Sequence, residues 1–137
     1  MSYEFLEHIS DVKFRVLENK IDQAFATSVK VLTNIIKGKN KINSKKTKEI
    51  NVKGINLENL LYNFLEEFLF LFDSENFVLS KIKKINVDIK NLKVNAIILG
   101  DTAQNYKISN EVKAITYNNM KIKYAKNKWE IICVIDV

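Results

Sequence analysis

The chain has 137 residues, of which 47% are hydrophobic and 28% are charged. This composition fits one folded domain with a real core and excludes an intrinsically disordered chain. The net charge of +6 suits an acidic partner such as RNA, although lysine and asparagine are used heavily along the whole chain.

The cysteine content and the first residues indicate a compartment. Cys133 is the single cysteine and lies in an apolar run, which predicts a buried thiol in a reducing environment. Residues 1–10 contain acids and lack the apolar segment of a signal peptide. Charges interrupt every long apolar run, so no membrane span is expected. We therefore expect a cytoplasmic protein.

The first part of the chain predicts a strand, a helix and a second strand. Residues 12–16 alternate apolar and charged side chains, which is typical of a half-buried strand. Asn19 can cap a helix that Gly38 ends. Residues 39–48 are rich in lysine and asparagine and predict a solvated loop before a short strand at residues 49–53.

Residues 56–72 form the segment around which the rest of the chain is organised. Asn56 is a suitable N-cap for a helix of about four turns. Apolar side chains recur at helical spacing and predict a core helix covered by a sheet. These side chains are Leu57, Leu60, Leu61, Phe64, Leu65, Phe68, Leu69 and Phe72.

The second half of the chain is dominated by strand patterns. Residues 73–76 predict a turn and residues 100–109 a polar loop. The last strand, at residues 129–135, is apolar on both faces and should lie centrally in its sheet. The other extended segments are residues 77–82, 85–89, 92–99, 112–117 and 120–124. Helices early and strands late predict a single α+β domain, with two helices packed on a mostly antiparallel or mixed sheet of about six or seven strands.

Most common catalytic signatures are absent from the sequence. It has no glycine-rich phosphate loop, no paired-cysteine zinc motif and no Gly-x-Ser-x-Gly elbow. With one histidine and one cysteine, the chain has few side chains that could serve as a catalytic nucleophile and its general base. We therefore expect a protein that is not an enzyme.

Three short polar stretches are the remaining candidates for a site. They are EHISD at residues 7–11, EVKAITY at residues 111–117, and the final pair Asp136 and Val137. A carboxylate side chain beside a C-terminal carboxylate gathers oxygens that suit a hard cation such as Ca²⁺ or Mg²⁺. From the residues alone, a solvated strand end with a frayed terminal carboxylate explains the final pair better than a metal site does.

Four motifs, in order along essentially the whole chain, resemble the archease family. That family carries Glu-His-Thr-Ala-Asp near its start, a Trp-Leu-x-Glu-Leu-Leu helix, a late Val-Lys-Ala-Val-Thr-Tyr-His, and a final Asp followed by one aliphatic residue. In this chain the corresponding stretches read EHISD, FLEEFLF, VKAITYN and DV. The first carries Ser10 in place of alanine, the second Phe64 in place of tryptophan, and the third Asn118 in place of histidine.

The resemblance implies a function, a partner and a site. Archeases are accessory proteins of the RtcB-type RNA ligase, and they promote its guanylylation and multiple turnover in tRNA splicing and RNA repair. The implied cofactor is a divalent cation (Ca²⁺, or Mg²⁺ or Mn²⁺) held by Asp11, Asp136 and the carboxylate of Val137. Any contact with tRNA or other RNA would be indirect, through the ligase. Further motif positions that the resemblance assigns to a functional surface are His8, Glu67, Lys113 and Tyr117.

Two other classes of function stay open at this point. A basic RNA-binding module or RNA chaperone acting without a ligase would bind naked RNA tightly and lose that binding as salt rises. An enzyme in its own right would have to work without the usual histidine and cysteine pairs.

Overall fold

The computed structural model describes residues 2–6, 11–108 and 112–137. Within them lie seven strands, two α-helices and a short 3-10 helix at Ala103–Asn105. The strands are β1 (Ser2–Leu6), β2 (Asp11–Glu18), β3 (Lys46–Lys53), β4 (Phe77–Asp88), β5 (Lys93–Thr102), β6 (Ala114–Ala125) and β7 (Lys128–Asp136). The helices are α1 (Ile21–Lys37) and α2 (Leu57–Glu75).

The strands divide between two antiparallel sheets. One sheet has the order β1-β2-β7-β6, and the other has the order β3-β5-β4. Both helices contact strands of both sheets, and side chains of these elements form the main apolar core. A smaller cluster contains Ile42, Val78 and Ala103. The predicted α+β fold with two helices and six or seven strands is confirmed.

The α1 helix begins without the predicted asparagine cap. Lys20 occupies the N-cap position and makes no side-chain capping hydrogen bond, so the expected role of Asn19 is wrong. The terminus uses Asp22 in its first turn, where the helix dipole favours a negative charge. The predicted stop is correct: Gly38 adopts φ 59° and donates its N–H to the Asn34 carbonyl.

The α2 helix begins as predicted and ends later. The Asn56 side chain accepts a hydrogen bond from the backbone N–H of Asn59 at 2.7 Å. The expected turn at residues 73–76 is wrong, because the helix continues through Glu75. Asn76 takes the left-handed conformation and donates its N–H to the Leu71 carbonyl, so the asparagine ends the helix.

Several strands are longer than their sequence patterns predict. The β3 strand starts at Lys46, and β5 runs to Thr102, so residues 46–48 and 100–102 are not loop as expected. The β1 strand was not predicted, and it pairs with β2 at one edge of the four-stranded sheet. Backbone pairing with a neighbouring strand decides these boundaries, and a period-2 pattern does not report it.

The β7 strand lies between β2 and β6, which confirms its predicted central position. Ile131, Cys133 and Ile135 face the core and are fully buried. Among the helices that the structure describes, none combines the length and the apolar content needed to cross a bilayer.

Candidate functional site

The antiparallel pairing of β2 with β7 brings the two predicted acidic ligands together. Asp11, at the start of β2, is the register partner of Asp136, at the end of β7. Directly opposite residues share one face of a sheet, and their Cβ atoms are typically about 4.5–5.5 Å apart. Both side chains are half-buried. Residues separated by almost the whole chain therefore meet at one end of the four-stranded sheet.

The terminus of the chain is held against the same end of the sheet. Asp136 also pairs with Ala114 of β6, and the Lys113 amide donates to the Asp136 carbonyl at 2.7 Å. Val137 packs against the core, and its carboxylate is the third ligand that the resemblance implies. The Lys113 side chain is exposed. We call Asp11, Asp136 and Val137 the carboxylate corner.

The chemistry of the carboxylate corner fits a hard divalent cation. Two aspartates and a terminal carboxylate together offer up to about six oxygens, which is the kind of ligand set that Ca²⁺ and Mg²⁺ prefer. Like charges directly opposite each other on paired strands are destabilising, and a bound cation would offset that cost. Over the described ranges, no three His, Cys, Asp or Glu side chains are grouped to hold a metal. Within the described residues, the carboxylate of Val137 is the donor that the resemblance adds to the two aspartates.

Tyr117 lies further along β6 and contacts α2. Its ring stacks on the Tyr62 ring with centroids 4.2 Å apart and planes 9° from parallel. Its hydroxyl accepts a hydrogen bond from the Asn59 side chain. Burial and the neighbouring Glu66 carboxylate, to which Tyr62 is hydrogen-bonded, raise the pKa of Tyr62. Asn59 and Tyr62 were not predicted, since their partner Tyr117 is remote in sequence.

The structure places the remaining predicted residues separately. Glu67 is a half-buried residue of α2 and lines an open depression beside Asn51 and Lys53 of β3. His8 lies outside the described residues. Of the predicted site residues, Asp11 and Asp136 are joined by strand pairing, the Lys113 backbone is bonded to Asp136, and Val137 follows Asp136 in sequence. Glu67 lines a different depression.

Of the three substitutions at motif positions, Ser10 lies outside the described residues, and the other two have different settings. Phe64 is fully buried, and its ring contacts the rings of Phe25 and Phe68, so this position serves the core. Asn118 is exposed, and its backbone N–H donates to the Thr116 hydroxyl at 3.1 Å. It lies in the irregular part of β6, where the register with β7 shifts between Thr116 and Lys121.

Comparison with known proteins identifies the family of the chain. The model of the Archease protein family matches residues 3–137. Proteins named archease from Pyrococcus abyssi and Sulfurisphaera tokodaii are 35% and 31% identical to this chain. Each alignment covers 98% of this chain and 98% of the relative.

Two solved structures share the fold at lower identity. The solution structure of Methanobacterium thermoautotrophicum protein 1598 has a TM-score of 0.80 at 19% identity and covers 98% of both chains. The crystal structure of an archease from Thermotoga maritima, described as a possible chaperone, has a TM-score of 0.67 at 16% identity. It covers 96% of this chain and 94% of that one. Family model, relatives and fold agree, and the chain belongs to the archease family.

Proposed function

We propose that this chain is a non-enzymatic accessory protein of an RtcB-type RNA ligase. In this proposal it promotes guanylylation of the ligase and its repeated turnover in tRNA splicing and RNA repair, in the cytoplasm. Membership of the archease family supports the proposal. The observation that carries it at the level of residues is the pairing of Asp11 with Asp136 beside the terminal residue.

The proposed role of the carboxylate corner is to hold a divalent cation. A bound Ca²⁺, Mg²⁺ or Mn²⁺ would supply a compact positive charge that can be shared with an anionic group of the ligase site. Asp11 and Asp136 would supply side-chain oxygens, and the half-buried strand ends would fix their spacing. The Lys113 amide, by holding the Asp136 carbonyl, would keep the terminal carboxylate of Val137 from fraying.

The electrostatics favour cation binding at this corner. The chain as a whole carries a net charge of +6, yet the register pairs Asp11 with Asp136 at one end of one sheet, and in this proposal the carboxylate of Val137 joins them. Such a local acidic site attracts cations in spite of the basic surroundings, because short-range terms dominate within a Debye length of about 8–10 Å.

A guanylylation assay with the RtcB-type ligase of the same organism tests the function. Wild-type protein should increase the yield of guanylylated ligase and permit multiple turnover, whereas Asp11→Asn and Asp136→Asn should lose at least about tenfold of the stimulation. Asp73→Asn, an exposed acid-to-amide change on α2, is the matched control and should stimulate fully. No stimulation by the wild type would refute the proposed function, and full stimulation by both corner variants would refute the role of the corner.

A second arm tests the terminal carboxylate. A Gly-Ser extension after Val137 removes the carboxylate from its place and should impair stimulation, while the same dipeptide added before Met1 should not. Binding of naked RNA is measured alongside. Tight, salt-sensitive RNA binding with no effect on the ligase would favour the basic RNA-binding module instead.

A further inference from the structure

A groove between α1 and β4 combines a basic rim with an apolar floor. Its rim carries Lys30 and Lys37 from the helix and Lys81 from the strand. Its floor includes Ala26, Leu79 and Ile82. These six residues define the α1–β4 groove, which shares no residue with the carboxylate corner.

The geometry of β4 explains why the groove is open. At one end, α1 is tied to the strand because the Asp22 carboxylate accepts a hydrogen bond from the Val87 amide at 2.8 Å. Toward the other end, the register with β5 shifts between Leu79 and Lys81, and again between Ile82 and Lys84. Such bulges bend and twist a strand. These bulges coincide with the β4 residues that line the groove, Leu79, Lys81 and Ile82 among them.

The β4 strand is also an edge strand of its sheet. An edge strand presents a row of backbone N–H and C=O groups away from its paired neighbour, and an extended peptide can pair with such a row. The hydrogen bond from Val87 to Asp22 uses one donor on this strand. The bulged segment of this strand lines the groove together with α1.

The charges of the groove select the occupant. Lys30 and Lys81 are exposed, and the Lys37 ammonium donates to the Asn40 carbonyl at 2.9 Å, which holds it at the end of α1. The residues that line the groove, all of them within the described chain, include no aspartate or glutamate. They also include no aromatic ring on which a nucleobase could stack. An RNA strand would therefore gain electrostatic attraction in the groove but no base stacking.

We propose that the α1–β4 groove docks an extended, acidic segment of a partner protein. Carboxylates of that segment pair with Lys30, Lys37 and Lys81, and its apolar side chains rest on Leu79 and Ile82. This inference concerns a different surface from the proposed cation site, and it stands or falls independently of that site.

Fluorescence anisotropy tests the groove with a fluorescein-labelled peptide of alternating glutamate and leucine. The full chain should bind the peptide, and Lys30→Glu/Lys37→Glu/Lys81→Glu should weaken binding by about tenfold or more. The neutral triple variant with glutamine at the same positions should lose less. A charge-matched control, Lys90→Glu/Lys126→Glu/Lys128→Glu, changes exposed lysines elsewhere and should bind like the wild type.

Two further probes separate the proposal from general attraction of anions. A peptide with serine in place of every leucine should bind more weakly, because it cannot use the apolar floor. A poly-uridine oligonucleotide should bind the groove triple variant and the control triple variant with the same loss of affinity relative to the wild type. No binding of the glutamate and leucine peptide, an equal loss of peptide affinity in both triples, or RNA binding that only the groove triple abolishes would overturn the proposal.

Discussion

At the scale of single residues, Asp101 is a buried carboxylate with defined hydrogen-bond partners. It is buried and accepts hydrogen bonds from the Tyr106 hydroxyl at 2.7 Å and the Thr102 amide at 2.8 Å. The Tyr106 hydroxyl in turn accepts a hydrogen bond from the backbone N–H of Asn43 at 2.9 Å. Asp101 thereby fastens the segment after α1 to the end of β5.

The Tyr106 hydrogen bond, with that of the Thr102 amide, lowers the pKa of Asp101. A lowered pKa in the folded state means that the ionised carboxylate stabilises the fold fully above the ordinary aspartate pKa of about 4 and loses this effect as the pH falls through the folded value. We expect Asp101→Asn to destabilise the protein at neutral pH by more than it does in acid. Urea unfolding of both proteins from neutral pH to below pH ~4 measures this, with Asp73→Asn as the control. A difference in unfolding free energy that stays constant with pH would contradict the assignment.

The stacked pair Tyr62 and Tyr117 makes a second prediction at this scale. Tyr117 is 49% exposed, so its contribution depends on the stacking and on the Asn59 hydrogen bond more than on burial. A double-mutant cycle with Tyr62→Ala and Tyr117→Ala should give a coupling of about 0.5–1.5 kcal/mol in unfolding free energy. Tyr117→Phe, which keeps the ring and removes the hydroxyl, should retain most of the coupling. If the changes in unfolding free energy of the two single variants add up to that of the double variant, the two rings are not energetically coupled.

At the scale of elements, Gly100 shows how close β4 and β5 approach each other. A Cβ atom built at Gly100 would lie 2.2 Å from the Val78 carbonyl oxygen and 2.5 Å from the Phe77 ring. The strand pairing leaves no room for a side chain there. We expect Gly100→Ala to lower the free energy of unfolding by about 1–3 kcal/mol, as overpacking typically does. Chemical denaturation measures the loss, and wild-type stability of the variant would show that the strands can separate at no cost.

The elements with a repeating apolar pattern could be predicted from the sequence. The existence of both helices and the strands β2 and β7 followed from spacing alone, because one buried face dictates it. The ends of α2 and β5 could not be predicted in this way. Asp73 and Ser74 favour turns locally, but the helix continues to Glu75 and ends at Asn76, which adopts the left-handed conformation.

Parts of the site could be predicted only through resemblance. Asp11 and Asp136 are the first residue of one strand and the last of another, and nothing local predicts that these strands pair in this register. Composition and spacing allowed a cation site at the terminus without favouring it. The contacts of Tyr117 with α2 are likewise remote in sequence and had no local signal.

At the scale of the whole molecule, the two sheets around one core explain how the ends of the chain meet. The central β7 strand pairs with β2 on one side and with β6 on the other, so the last residues are enclosed by strands from both ends of the chain. The carboxylate corner is a product of this topology. Cation binding there should therefore stabilise the entire fold by mass action, because the unfolded chain lacks the site.

The binding of a divalent cation to the isolated protein tests the central claim most directly. Calorimetric titration of the wild type with Ca²⁺ and with Mn²⁺, and its melting temperature with and without the ion, are compared with Asp11→Asn, Asp136→Asn and the control Asp73→Asn. We predict one site in the wild type and the control, a rise of melting temperature with ion concentration, and loss of both effects in the two corner variants. Binding that survives in Asp11→Asn and Asp136→Asn, or no binding by the wild type to either ion, would contradict the account.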